Sequence, residues 1–126
     1  MRIVGHGIDI ESEAKIEGHL KSHAHWAEDI FSAEERDLAG DPSKHASFYA
    51  GRFAGKEAVA KALGTGFTGT ITWHGIEILR LPSEAPHVRL SGGALRLAND
   101  LGITGWFISI SHHDGIAMAS VIAVAD

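Results

Sequence analysis

The stretch RFAGKEAVAKALGTG, residues 52–66, is the part of the sequence that decides how the rest of the chain folds. It is rich in alanine and carries charged residues at helical spacing until Gly64, a residue type that commonly ends helices. Asp41-Pro42 upstream is a typical start signal, so the pattern predicts one long helix that closes at Gly64. Its predicted buried stripe, interrupted by Lys56, consists of Tyr49, Phe53, Ala60 and Leu63.

The charged residues of this helix fit two interpretations. Glu57 and Lys61 are four residues apart, as are Arg52 and Lys56, so each pair shares one face. Such charges are typical of a solvated helix surface, but a carboxylate and several cations near a helix end could also bind a metal ion and phosphates. The turn at residues 64–66 is likewise typical of a C-cap, or of backbone N–H groups presented to an anion. The helix alone leaves both interpretations open.

The residues before the long helix predict one strand and two shorter helices. Apolar anchors among glycines predict a strand over residues 2–10. Ser12 is a typical N-cap residue, and the helix that it begins is expected to run to about Trp26. Residues 31–40 contain a capping-box pattern and predict a short helix that ends at Gly40.

The residues after the long helix predict more strand than helix. Strands are predicted at residues 70–81 and 86–92, and a helix at residues 92–102. Residues 105–125 have the pattern of a β-hairpin whose strands meet at Asp114-Gly115, a dipeptide favoured in type I′ turns. Because strands and helices do not alternate regularly, the chain is expected to have an α+β fold, with an antiparallel sheet packed with helices.

Length and composition exclude several classes of protein. The 126 residues fit one domain, 1–126. A net charge of −5 argues against a generic nucleic-acid binder. The absence of cysteine excludes thiolate zinc sites and cysteine nucleophiles, and it is compatible with a cytoplasmic location. The sequence has no signal-peptide pattern and no apolar run long enough to span a membrane, so no membrane association is expected.

Asp9 is the first candidate functional residue outside the long helix. In the predicted strand, Gly5, Gly7 and Asp9 alternate onto one face, while Ile8 and Ile10 point to the other. Two glycines beside a carboxylate leave room for a bulky group to approach the backbone. An aspartate near the end of a strand is also typical of a residue that caps the next helix. Either role fits the pattern.

The nine histidines of the chain invite a metal-binding interpretation. His112 extends the face that Ile108 and Ile110 form on the first hairpin strand, which fits either a structural residue or an imidazole at the mouth of a cleft. His19 and His23 are four residues apart and could share a zinc ion. No third ligand is evident beside them, so a helix surface that gains charge at low pH is favoured.

Three stretches, taken together and in this order, resemble the phosphopantetheinyl transferase family and in particular its small bacterial members. They are G-I-D at residues 7–9, K-E-A-V-A-K-A-L-G-T-G at residues 56–66, and S-I-S-H at residues 109–112. The resemblance covers nearly the whole chain and implies the α+β fold of that family. It also implies transfer of 4′-phosphopantetheine from coenzyme A to a serine of an apo acyl carrier protein, with release of adenosine 3′,5′-bisphosphate.

The resemblance further implies a role for each candidate residue. Asp9 and Glu57 are expected to bind Mg²⁺, with Mn²⁺ a possible substitute, and Glu57 is also expected to help deprotonate the incoming serine through water associated with the metal. Lys61 is expected to meet the pyrophosphate of coenzyme A. Arg52 and His112 match positions near its 3′-phosphate. The turn expected to line the nucleotide pocket consists of Gly64, Thr65 and Gly66.

The resemblance also implies partners. Small members of the family are typically homotrimers with the substrate cleft between subunits, so one chain need not supply a complete site. The first helix, with Lys15 and Lys21, is expected to dock the acidic carrier protein. Glu11 stands where an apolar residue is usual.

A non-catalytic nucleotide-binding or assembly domain of the same fold is the alternative, and a histidine-rich metal-binding protein is a third hypothesis. The presence of both expected metal ligands and of Lys61 favours the enzyme.

Overall fold

The computed structural model describes residues 1–126, which form a three-stranded sheet, a separate two-stranded hairpin and five α-helices. The strands are β1 (Arg2–Ser12), β2 (Ile76–Arg80), β3 (Pro86–Leu90), β4 (Gly105–His113) and β5 (Ile116–Ala125). The helices are α1 (Glu13–Ser22), α2 (Trp26–Ile30), α3 (Ala33–Asp37), α4 (His45–Leu63) and α5 (Gly92–Asp100), with a 3₁₀ turn at Pro42–Lys44. None of these helices combines the length and the apolar character needed to cross a membrane.

The main sheet has the strand order β1-β5-β4, and both of its pairings are antiparallel. The predicted hairpin joins β4 to β5, and its turn residues Asp114 and Gly115 have φ values of 47° and 77°, as a type I′ turn requires. Strands β2 and β3 form a second antiparallel pair. The prediction of an α+β fold with an antiparallel sheet is confirmed.

Helix α4 lies directly against strand β1 because two residues of the strand have no side chain. A Cβ atom at Gly7 would overlap the carbonyl oxygen of Ala58, and one at Gly5 would overlap that of Ala62. The bulky group that these glycines were expected to admit is therefore helix α4 itself. This close approach brings Asp9, next on the same face of the strand, to the last turns of the helix.

We expect Gly7→Ala to lower the free energy of unfolding by about 3 kcal/mol, because β1 and α4 must separate to admit the methyl group. Gly18→Ala in α1 is the matched control, since a Cβ there meets nothing within 4 Å. It should raise stability by about 0.5–1 kcal/mol through helix propensity. Chemical denaturation of both variants measures the difference. Equal effects would contradict the close approach of helix and strand.

Helix α4 is buried along most of its length, between the sheet and the smaller helices. Of the predicted stripe, Tyr49, Ala60 and Leu63 are buried and Phe53 is half-buried. Ala54, Ala58 and Val59 are buried as well, so the apolar surface of the helix is wider than one stripe. The helix consequently belongs to two hydrophobic clusters, one under the sheet and one under α1–α3.

The sequence pattern suggested that Lys56 interrupts the apolar stripe with a charge exposed to solvent. Its side chain is instead fully buried, and its Nζ donates to a carboxylate oxygen of Glu35 at 2.7 Å. The ammonium also donates to the backbone carbonyls of Trp73 and Ile76. The other oxygen of Glu35 accepts from the Ile78 N–H at 2.9 Å. This buried pair ties α3 and α4 to strand β2.

Glu35 also forms the predicted capping box of the short helix α3. The Ser32 hydroxyl accepts from the Glu35 N–H at 3.2 Å, and Glu35 Oε1 accepts from the Ser32 N–H at 3.0 Å. The helix ends at Asp37, three residues before the predicted end at Gly40.

The first helix is shorter than predicted. Ser12 caps it, accepting from the Lys15 N–H at 3.3 Å, but α1 ends at Ser22 rather than near Trp26. The chain then turns and restarts as α2, so that the Trp26 ring reaches the Phe53 ring of α4, with centroids 5.9 Å apart. Packing against α4 therefore overrides continuation of the helix.

The strand predicted at residues 70–81 forms only at Ile76–Arg80. The Gly75 N–H donates to the Thr72 carbonyl at 3.1 Å and to the Thr72 hydroxyl at 3.1 Å. This turn occupies the first half of the predicted strand.

Candidate active site

Asp9 and Lys61 meet where β1 crosses the end of α4. Lys61 Nζ lies 3.2 Å from Asp9 Oδ1 and donates to the Ile8 carbonyl at 2.8 Å. The Asp9 side chain is 14% exposed and that of Lys61 is 52% exposed. Asp9 does not cap α1, because Ser12 does so, and the capping interpretation is therefore wrong. Lys61 contacts the strand rather than forming an ion pair with Glu57 along the helix.

Glu57 lies one turn before Lys61 and is half-buried. Burial raises the pKa of the Glu57 carboxyl above its ordinary value, the negative charge of Asp9 raises it further, and Lys61 lowers it. The charges of Glu57 and Asp9 therefore act on each other in the folded chain.

Glu11 is a third carboxyl group here, and sequence reasoning noted it only as a departure from the family pattern. It follows Asp9 by two residues on β1, so the two side chains leave the same face of the strand. Burial raises the pKa of the Glu11 carboxyl to about 7, and the nearby carboxylates of Asp9 and Glu57 contribute to the increase. The sequence signal that could have identified Glu11 is its position two residues after Asp9 on the same predicted strand. We call Asp9, Glu11 and Glu57 the carboxylate cluster.

The carboxylate cluster fits a hard divalent cation. Asp9 Oδ2 is excluded from solvent and no donor faces it. Carboxylate oxygens are the ligands that Mg²⁺ prefers, and Mg²⁺ commonly uses one or two of them together with phosphate oxygens and water. The structure has no group of three or more acidic or histidine side chains arranged to hold a metal ion by themselves. One or two carboxylates suit an ion that is shared with a phosphate-bearing substrate.

We expect the metal-free chain to lose stability as pH rises from about 4.5 to 7. A carboxyl whose pKa is raised by folding binds its proton more tightly in the folded state. For Glu11, the folded state binds more protons than the unfolded state between the ordinary pKa of 4.5 and about 7. Glu57 acts in the same direction. Thermal unfolding midpoints measured against pH in the presence of a chelator test this. The slope should be smaller for Glu11→Gln, and parallel curves would contradict the assignment.

The turn after Lys61 ends the helix as predicted. Gly64 has a φ of +85°, which favours glycine, and its N–H donates to the Lys61 carbonyl at 3.0 Å. The Thr65 hydroxyl donates to the Gly66 carbonyl at 2.9 Å. Gly64 and Thr65 are exposed and follow Lys61 at the end of the helix.

Arg52 is a buried cation and not part of a solvated surface pair. Its guanidinium lies 4.6 Å from the centre of the Phe48 ring and donates weakly to the Leu79 carbonyl at 3.4 Å. Its Nε is buried and has no hydrogen-bond partner. Burial lowers the pKa of Arg52 to about 10, and the nearby charge of Arg80 contributes. The side chain therefore remains positively charged at neutral pH.

His112 packs on the first half of α4, near Arg52. Its Nε2 lies 3.0 Å from the Ser47 carbonyl, and its ring covers the backbone at Gly51. Arg52 and Lys61 are nine residues apart along the helix, which corresponds to about 13 Å. A single chain therefore presents two separate groups, Arg52 with His112 and the carboxylate cluster with Lys61. It does not bring all the predicted site residues into one pocket.

Comparison with known proteins is consistent with this geometry. Residues 5–119 match the family model described as the 4′-phosphopantetheinyl transferase superfamily. A holo-[acyl-carrier-protein] synthase of Beutenbergia cavernae is 44% identical over 124 residues, which are 98% of each chain. One of Desulfovibrio desulfuricans is 43% identical over 124 residues, again 98% of each chain.

Two solved structures share the fold at similar coverage. The Helicobacter pylori holo-[acyl-carrier-protein] synthase in complex with coenzyme A matches with a TM-score of 0.84 and 35% identity, over 94% of this chain and 99% of that one. A Bacillus anthracis holo-(acyl-carrier-protein) synthase in complex with CoA (3′,5′-ADP) matches with a TM-score of 0.83 and 32% identity over all of both chains. From these matches and the arrangement of Asp9, Glu57 and Lys61, the chain belongs to the 4′-phosphopantetheinyl transferase superfamily.

Proposed function

We propose that the chain, as a single domain of residues 1–126, is a holo-[acyl-carrier-protein] synthase. It transfers 4′-phosphopantetheine from coenzyme A to a serine of an apo acyl carrier protein. The observation that carries the proposal is the meeting of Asp9, Glu57 and Lys61 where α4 crosses β1, in a chain of this superfamily. A non-catalytic domain of the same fold would have no need to keep three such groups together.

Asp9 and Glu57 are the proposed ligands of Mg²⁺, or of Mn²⁺ in its place. The Asp9 oxygen that is buried without a hydrogen-bond donor supports this assignment, as does the electrostatic interaction between Asp9 and Glu57. When bound, the ion supplies neutralisation of the charge that develops on the pyrophosphate.

The other steps of the proposed transfer are assigned to residues of this protein. The carrier serine oxygen attacks the phosphorus that bears pantetheine, and the bond from that phosphorus to the leaving adenosine 3′,5′-bisphosphate breaks. The serine proton passes to a carboxylate, for which Glu57 is the proposed acceptor. Lys61 offers a half-exposed ammonium to the pyrophosphate as negative charge grows on the leaving group. The turn at Gly64, Thr65 and Gly66 is the proposed wall for the nucleotide.

Arg52 and His112 are proposed to bind the 3′-phosphate of coenzyme A. The charge of Arg52 at neutral pH and its unpartnered Nε support this role. Because about 13 Å of helix separates this group from Lys61, we assign the two groups to substrate clefts that neighbouring subunits share.

The outer face of the main sheet supports a homotrimer. Ile10 is 60% exposed and Phe107 is 56% exposed, and Ile8 and Met118 lie exposed on the same face. Large exposed apolar side chains gathered on one face of a sheet are typical of a protein–protein interface. We propose that this face packs between subunits, which places β1 beside a neighbouring chain.

Replacing Ile10 by lysine should separate the trimer, because the charge would be buried without a partner at the interface. We expect a monomer mass by light scattering and a large loss of transferase activity. Leu95→Lys is the control, since Leu95 is an exposed apolar residue of α5 outside this face. A trimeric Ile10→Lys variant would show that the subunits associate through another surface.

Carrier docking is assigned to α1, where Lys15 is exposed and Lys21 pairs with Glu17 at 3.2 Å. These lysines are suited to an acidic partner. The proposed setting is the cytoplasm, in fatty-acid or polyketide synthesis, where acyl carrier proteins act.

Release of adenosine 3′,5′-bisphosphate tests this function. The chain is incubated with coenzyme A and Mg²⁺, and the nucleotide is followed by chromatography with apo carrier, holo carrier or no carrier. Release should require the apo form. Absence of release with several apo carriers would contradict the proposal, and equal release without carrier would indicate hydrolysis of coenzyme A instead.

A further inference from the structure

The imidazole ring of His112 lies against α4 at a residue that has no side chain. A Cβ atom added at Gly51 would lie 3.0 Å from His112 Nε2 and 3.2 Å from its Cε1. It would also lie 3.1 Å from Cγ2 of Ile110, on the same strand as His112. All three separations are shorter than an ordinary van der Waals contact between side chains. An alanine at position 51 would therefore displace the ring from the helix.

The position of the ring determines which of its nitrogens remains free. His112 Nε2 lies 3.0 Å from the carbonyl oxygen of Ser47, one turn before Gly51 on the helix. Because a carbonyl oxygen can only accept, Nε2 carries the hydrogen in this contact. The side chain of His112 is exposed to solvent. Nδ1 is therefore the nitrogen that remains for a ligand, and it donates to an anion when the ring is protonated.

We infer that Gly51 is a positioning residue for recognition of the 3′-phosphate of coenzyme A. This inference rests on the proposed function, which assigns that phosphate to Arg52 and His112. The absent side chain lets the imidazole approach α4 closely enough to donate to Ser47, and Arg52 is the next residue of the same helix. Donors that are fixed before the ligand arrives bind it more tightly, because less freedom is lost on binding. A methyl group at position 51 would loosen the imidazole and leave the carboxylate cluster unchanged.

Binding of two nucleotides that differ only in the 3′-phosphate tests the inference. Adenosine 3′,5′-bisphosphate and adenosine 5′-monophosphate are titrated by calorimetry into wild type, Gly51→Ala and Gly55→Ala. Gly55 is the matched control, because it is also buried in α4 and a Cβ there would lie 3.0 Å from Ile78, an apolar core residue. We expect Gly51→Ala to reduce the preference for the bisphosphate about three- to tenfold, as for the loss of one hydrogen bond. Gly55→Ala should leave the preference within about twofold.

A double-mutant cycle separates the positioning of His112 from a general effect on the helix. His112→Ala should reduce the preference for the bisphosphate about tenfold or more. Gly51→Ala should have no further effect once His112 is replaced, because the two residues act as one unit. Nitrogen NMR of labelled histidine at alkaline pH, where histidine is ordinarily neutral, should show hydrogen on Nε2 of His112 in wild type. Gly51→Ala should show a mixture of the two tautomers.

The possible results separate the inference from the proposed function. An unchanged preference in Gly51→Ala, with a loss in His112→Ala, overturns the inference and leaves the proposed phosphate site intact. Additive effects of the two substitutions also overturn it, since Gly51 would then act without His112. Equal binding of both nucleotides to wild type would remove the proposed 3′-phosphate site and the role of Gly51 with it. Hydrogen on Nδ1 of His112 in wild type would contradict the bond to Ser47, whether or not Gly51→Ala folds.

Discussion

Glu57→Gln should reduce phosphopantetheinyl transfer by on the order of a thousandfold or more while the chain remains folded. The substitution keeps the shape of the side chain and removes the charge that, with Asp9, would hold the metal ion. It also removes the proposed acceptor of the serine proton. Initial rates of holo carrier formation at saturating coenzyme A and carrier measure the loss.

A suitable control for Glu57→Gln is Glu28→Gln. Glu28 is exposed, lies on α2 and has His25 Nδ1 at 3.4 Å from its carboxylate. The thermal midpoint of Glu57→Gln in chelator should not fall. Burial and the negative charge of Asp9 raise the pKa of the Glu57 carboxyl, and a neutral amide avoids both the burial of a charge and the repulsion by Asp9. Activity near the wild-type rate would show that Glu57 is not a metal ligand.

Glu35→Gln should lower the free energy of unfolding by about 3–5 kcal/mol, the largest stability effect that we expect from a single charge. Lys56 is fully buried, and burial lowers its pKa while Glu35 opposes that shift. Glutamine leaves the ammonium in the core without a counter-charge. Urea denaturation at neutral pH measures the loss.

Glu34 gives a matched control one residue earlier on the same helix. Its side chain is 61% exposed and pairs with Arg89 at the surface, so Glu34→Gln should cost less than about 1 kcal/mol. The double variant Glu35→Gln, Lys56→Met should recover much of the loss, because no unpaired charge is then buried. If Glu35→Gln and Glu34→Gln were equally stable, the buried pair would not stabilise the fold.

The elements of the fold were predictable because their signals are local. Ser12, Ser32 and Gly64 begin or end helices through contacts a few residues away, and Asp114-Gly115 turns the hairpin by itself. The burial of Lys56 was not predictable in this way. A lysine among helical charges normally indicates a surface, and its partner Glu35 lies 21 residues away in sequence.

The candidate site depended still more on long-range packing. The pairing of Asp9 with Lys61 joins residues 52 positions apart, and it needs the close approach of β1 to α4 at Gly7. Family resemblance supplied the proposed metal ligands, which spacing alone left open. Glu11 was noted only as a departure from the family pattern, and its electrostatic interaction with Glu57 depends on the packing of β1 against α4.

The most direct measurement is the intact mass of an apo acyl carrier protein after incubation with the chain, coenzyme A and Mg²⁺. The account predicts a gain of one phosphopantetheinyl group, lost when the carrier serine is replaced by alanine or when the metal is chelated. An unchanged carrier mass across several apo carriers would contradict the assignment of this chain as a holo-[acyl-carrier-protein] synthase.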